Sequence, residues 1–354
     1  MLLQMYYLNK FSCLKGGMAL AKIKDTDYLF STARVRSVEK NMITRERAEK
    51  MIDAKTIEDA LKVLDDINYG YGNEAVNANS YENLLSDEHK KTYDFITSIA
   101  PELDYFNMFL FPYDYHNLKV IMKAEYLGID ASDTLVDTGS IDIKNLKYSV
   151  KERDFSELTD NMEKALKEII ETFPKTNDPQ LIDIILDKYC YDEMLRSAEQ
   201  ANSKFIIDYV KMQIDAINIK TYVRLKKMNK SWDFFTKVYL HGGNITEQVF
   251  IKSYDEVFEK FAEQLSAYGF KEVFLEGTEA LAETGKFTTL EKLLDNKVIE
   301  YIKSAKYISF GIEPLAGYLI AKDNEIKIAR IILAGKLAGI SPELIRERLR
   351  ETYV

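Results

Sequence analysis

Apolar positions along the chain recur at helical rather than strand spacing. Between Asp27 and Lys40, Leu29, Ala33 and Val35 stand among polar residues, which predicts a helix. A second helix is expected from Thr44. A third begins at Thr56, whose hydroxyl can cap the amide three residues on; Ile57, Ala60, Leu61, Leu64 and Ile67 trace its apolar stripe, with Gly70 and Gly72 as its end. The tyrosine- and asparagine-rich stretch from Tyr69 to Tyr81 reads as a loop, and Pro101 and Pro112 punctuate the aromatic segment after it.

The pattern continues beyond a turn-rich linker at Asp130 to Asp142. Leu158, Met162, Ala165, Leu166, Ile169 and Phe173 predict a helix closed by Pro174, and Asp178-Pro179 supplies a cap and a first-turn proline for the next. One long helix is expected from about Lys204 to Met228, which contains no glycine or proline. After Trp232, His241-Gly242-Gly243-Asn244 reads as a turn, and the stripe Phe258, Phe261, Leu265, Tyr268 ends at Gly269. Thr288 and Glu291 are spaced as a capping box, and Ser341-Pro342-Glu343 announces the last helix, which carries Arg346, Arg348 and Arg350. No sustained alternation and no Asn-Gly or Asp-Gly hairpin occurs, so the class is all-α.

One polar arrangement recurs on these helices. Asp114, Asp215 and Glu325 are each followed five positions on by a base, Lys119, Lys220 and Arg330, and then by a largely apolar triplet. The acids lie 101 and 110 residues apart, the period of a small domain rather than of a solenoid repeat. That predicts three similar helical units, at 18–130, 131–231 and 232–354, with residues 1–17 an extension, disordered or preceding a true start at Met18. Asn117 and Asn218 share the face of their acids, while a base five residues on lies about 140° round the axis. Two readings stay open. Either acid and base form structural pairs within each unit, or three units around an approximate threefold axis present matching polar faces to something held at the centre. A helical cavity of that kind, without catalytic residues, suits the docking of a protein shaft.

Composition narrows the chemistry. The 354 residues are 46% apolar, enough for a core in each unit, and the net charge of −9 with 30% charged residues argues against a nucleic-acid footprint. Two cysteines and three histidines form no disulfide framework or metal-ligand spacing, and a reducing compartment fits. No uncharged run exceeds nine residues, whereas a membrane helix needs roughly 20 apolar ones. Gly335-Lys336 and Gly285-Lys286 lack the remainder of a phosphate loop, and Gly70-Tyr71-Gly72 lacks the third glycine of a dinucleotide site. His89, His116 and His241 belong to no triad spacing. Asp65-Asp66 could begin a Mg²⁺ site in a helical enzyme acting on a diphosphate, but no third carboxylate follows. That enzyme and an unrelated cytosolic helical scaffold are the alternatives to a docking protein.

Three segments carry a family resemblance: Phe30-Ser31-Thr32-Ala33-Arg34-Val35-Arg36, Phe111-Pro112-Tyr113-Asp114-Tyr115-His116-Asn117-Leu118-Lys119, and the run from Glu313 to Val354 with Ser341-Pro342-Glu343-Leu344-Ile345-Arg346. Together they resemble the C-type subunit of the bacterial and archaeal V-type (A-type) ATPases, the counterpart of the eukaryotic d-type subunit. The resemblance implies a funnel of three helical units with a central cavity and no active site or cofactor of its own. Such a funnel would be seated on the membrane rotor ring at the cytoplasmic face and would receive the D-type and F-type proteins of the central stalk. On that basis Arg34, Arg36, Asp114, Asn117, Lys119, Asp215, Asn218, Lys220, Glu325, Arg330 and Arg346 are candidate partner contacts. Ile328 stands where family members usually carry a third asparagine.

Overall fold

The structure is a computed structural model that describes residues 24–70 and 80–354, so the extension at 1–17, Met18 and Gly72 lie outside the described residues. Those described form α-helices and short 3-10 turns, with no strand among them. The first helix, α1 (Leu29–Glu39), follows a 3-10 turn. Next come α2 (Arg45–Asp53), α3 (Ile57–Asp65), α4 (Tyr81–Ile99) and the longer α5 (Phe111–Leu127). A similar run of short and long helices follows in α6 (Ile143–Glu152), α7 (Asp160–Thr176), α8 (Pro179–Ala201) and α9 (Lys204–Lys227). The last stretch holds α10 (Trp232–Val238), α11 (Glu247–Lys252), α12 (Phe258–Leu265), α13 (Lys271–Thr284), α14 (Thr288–Ile302), α15 (Glu313–Leu337) and α16 (Pro342–Arg348). The divisions expected near 130 and 231 fall in the α5–α6 and α9–α10 connections.

Local chemistry explains most of these bounds. Thr44, Thr56, Asp142, Thr159, Asp178 and Ser341 each accept an amide hydrogen bond at a helix start. Two expectations need correction. Pro174 does not close its helix: α7 runs on to Thr176 and ends at Asn177 in the left-handed region, because a proline in the last turn removes only one ladder bond. The Thr288–Glu291 capping box is not formed either. The chain is already helical at Phe287, so the Glu291 amide bonds the Phe287 carbonyl, at 3.0 Å.

The three helices that carry the repeated acid share one ending. Gly128, Asn229 and Gly339, each fourteen residues after its acid, take φ of 65°, 53° and 65°. In each case the next residue's amide reaches back to the carbonyl of Ala124, Leu225 or Gly335 at 3.1, 2.9 and 2.8 Å, the bond that terminates a helix in a Schellman turn. Acid and terminator are therefore in register in all three.

Packing follows a cycle. α5 lies against α8, α9 against α14, and α15 against α4, so the last long helix returns to the first stretch of chain. One apolar core takes in α1, α4 through α14 and the first half of α15. A second core joins α2, α3 and Leu84 and Leu85 of α4 to the second half of α15 and to Ile345 of α16. Seventeen of the 25 residues of α15 are buried, so this helix is apolar nearly all round and is enclosed by both cores.

Candidate functional site

The repeated polar residues form three junctions. At the first, the Asp114 carboxylate accepts from the backbone amides of Ser140 and Ile141 at 3.0 and 3.1 Å and from the Ser140 hydroxyl at 2.6 Å. Three residues along, Asn117 closes a two-way clamp on Val136, donating to its carbonyl at 2.8 Å and accepting its amide at 2.9 Å. The second junction repeats this arrangement. Asp215 accepts from the amides of Asn244 and Ile245 and from the Asn244 side chain, while Asn218 clamps the carbonyl and amide of Leu240. All four side chains are completely buried.

Each acid lies against a glycine. A Cβ on Gly139 would sit 2.0 Å from Asp114 Oδ1, and one on Gly243 would sit 2.3 Å from Asp215 Oδ1, so only glycine lets the loop close over the carboxylate. Burial pushes the Asp114 carboxyl up to about 6, opposed by the bonds from Ser140 and Ile141, and shifts Asp215 in the same direction.

The third junction keeps the acid and changes everything around it. Glu325 accepts the backbone amide of Ile43, the residue that precedes a helix cap as Ile141 and Ile245 do. It also pairs with Lys322, which in turn pairs with Glu88 on α4, and Glu88 accepts the amide of Gly70 at 2.6 Å. The Lys322 ammonium lies 4.8 Å from the centre of the Tyr69 ring. Burial alone would pull that ammonium down, but Glu325 and Glu88 outweigh it and hold it well above its usual range. The fate of Ile328 follows. Val136 and Leu240 lie five residues before their isoleucines in loops; the matching residue, Val38, belongs to α1, with no free backbone for an asparagine to grip. Ile328 is accordingly packed in the second core.

The bases reach across to the same neighbours. Lys119 pairs with Asp187 of α8, Lys220 with Asp295 of α14 at 3.0 Å, and Arg330 with Glu82 of α4 at 3.1 Å. Acids hold backbone amides, and bases hold carboxylates, of the stretch that follows in the cycle. The polar set therefore joins successive stretches instead of pairing acid with base within one.

The remaining candidates also have partners in the chain. Arg36 pairs with Glu39 at 2.6 Å and donates to the carbonyls of Ala305 and Ile308, tying α1 to the turn before α15. Arg346 ties α16 to Glu49 and Asp53 of α2. Arg34 is exposed and lies 6.0 Å from the Phe95 ring. Asp65 and Asp66 are exposed at the end of α3. Sequence reasoning missed Lys322 and Glu88. The available signal was a charged run, Lys322 to Glu325, directly after the apolar stretch Pro314 to Ala321; charges set in an enclosed helix must be paired.

The described residues are helical, and the repeated polar geometry joins successive stretches of the chain, bases on carboxylates and acids on amides. A profile for the ATP synthase (C/AC39) subunit matches residues 31–348, and the chain belongs to that family. It is 26% identical to the C-type subunit of the V-type sodium ATPase of Enterococcus hirae, over 90% of this chain and 97% of that one. It is also 26% identical to the C-type subunit of the A-type ATP synthase of Methanocaldococcus jannaschii, over 91% and 86%, and 24% identical to that of Methanococcoides burtonii, over 92% and 94%. No helix among the described residues is long and apolar enough to cross a membrane.

Proposed function

We propose that this chain is the non-catalytic socket of a rotary V-type or A-type ATPase, receiving the central stalk and resting on the membrane rotor ring. ATP hydrolysis or synthesis is thereby linked to transport of H⁺ or Na⁺. The observation that carries this reading is the closed cycle of three junctions, each holding a backbone amide with a buried acid, in a member of the C/AC39 family. A part that transmits torque needs a wall that does not open under load, and each long helix here grips the next stretch of chain by both an acid and a base. We take the cycle to surround a pseudo-threefold funnel. Asp114, Asn117, Asp215, Asn218 and Glu325, all buried, would shape its wall, leaving the exposed cation Arg34 for partners.

Tagged chain co-expressed with the D-type and F-type stalk proteins tests this. The stalk proteins should co-purify, and Arg34→Glu should reduce their recovery without lowering the melting temperature. Failure of the unaltered chain to retain any stalk protein would remove the reading.

A further inference from the structure

The C-terminal half of α15, α16 and Asp295 of α14 line an open cavity of about 500 Å³. Its floor is apolar, with Ile331, Ala334, Ile340 and Ile345, and its rim carries Lys327, Arg330, Arg348 and Arg350. Of these four cations, Arg350 shares Asp295 with Lys220 and Arg330 holds Glu82 of α4, which leaves Lys327 and Arg348. Lys327 and Arg348 are exposed and have no carboxylate within ion-pair distance among the described residues, although the chain as a whole carries nine excess negative charges.

The repeat provides an internal control. After α5 the corresponding cavity, about 420 Å³, is built from residues in the same register, Val120 for Ile331, Ala124 for Gly335 and Ile129 for Ile340. Its charges balance, Glu125 and Asp130 against Lys147 and Lys151. The first copy thus shares the hollow and lacks the cationic rim. Unpaired like charges gathered around a concave apolar floor repel one another, and an occupant of opposite charge relieves that repulsion.

We propose that this cavity docks an acidic, amphipathic segment of a partner protein, its apolar side chains on the Ile331–Ile345 floor and its carboxylates on Lys327 and Arg348. The apolar floor favours a polypeptide over a free inorganic anion, which would gain nothing from it. This rests on the docking reading above for where the partner comes from, but the cavity belongs to this chain alone.

The test uses the full chain and a dye-labelled peptide of repeated Leu-Glu-Glu, read by fluorescence anisotropy at low salt. The unaltered chain should bind it, and the Lys327→Glu, Arg348→Glu pair should bind about tenfold or more weakly at an unchanged melting temperature. If the reversed pair does not fold, Lys327→Gln with Arg348→Gln should give a smaller loss in the same direction. No binding to the unaltered chain, equal binding to the variants, equal binding of a Leu-Gln-Gln peptide, or displacement by inorganic phosphate at matched ionic strength would each overturn the proposal. Loss of peptide binding in the variant with stalk recovery intact supports the cavity as a separate contact; a chain that binds the peptide but recovers no stalk protein sinks only the socket.

Discussion

Two of the three junctions join neighbouring stretches of chain, while the third joins residues 282 positions apart. The first two use the same device, a fully buried aspartate and asparagine that saturate a short loop closed over a glycine. The third replaces it with a buried lysine held between two glutamates, backed by paired residues nearer the surface. The difference follows from what each acid meets. A loop offers amides and carbonyls that neutral and singly charged groups can satisfy locally. At the closing junction α1 occupies the place of the loop, and α15 packs against α4 instead, where Glu88 must be neutralised.

Breaking the closing junction should cost most. Lys322→Met removes the cation between buried Glu88 and Glu325, leaving only the more exposed Lys91 at 3.7 Å from Glu88, and a loss of about 3–5 kcal/mol is expected in urea unfolding. Asp215→Ala strands the amides of Asn244 and Ile245, for about 2–4 kcal/mol, and Asp114→Ala should match it, since the two junctions have the same bonds. Unequal losses would show that the resemblance between those junctions is geometric only. Gly243→Ala, which forces the Asp215 carboxylate aside, should lower stability by about 1–3 kcal/mol in thermal melts without altering helical content. Arg330→Gln should change it by less than about 1 kcal/mol, because that pair with Glu82 is half exposed and screened by water. A larger effect there would move the strength of the closing junction from its buried lysine to its rim.

Helix content and the repeat were legible because both depend on local spacing. The stripe through Ile57, Leu61 and Leu64, the caps at Thr56 and Ser341, and the recurrence of acid and base five residues apart all survive in the structure. The partners of that recurrence were not legible. Lys322 and Glu325 are separated as an ordinary surface pair would be, and only the enclosure of α15 makes them interior; Glu88 lies on a helix far away in sequence. Pro174 and Thr288 were misread for the opposite reason. Their local signals are sound, but the helix continues past Pro174 to Thr176, and the backbone is already in helical conformation at Phe287.

The Ile43 amide is satisfied by Glu325, and Glu88 is neutralised by Lys322. During synthesis, then, the amino-terminal helices cannot acquire these two contacts until nearly the whole chain has emerged. A chain cut short before α15 would lack both partners, so the closing junction is the last part of the cycle that can form.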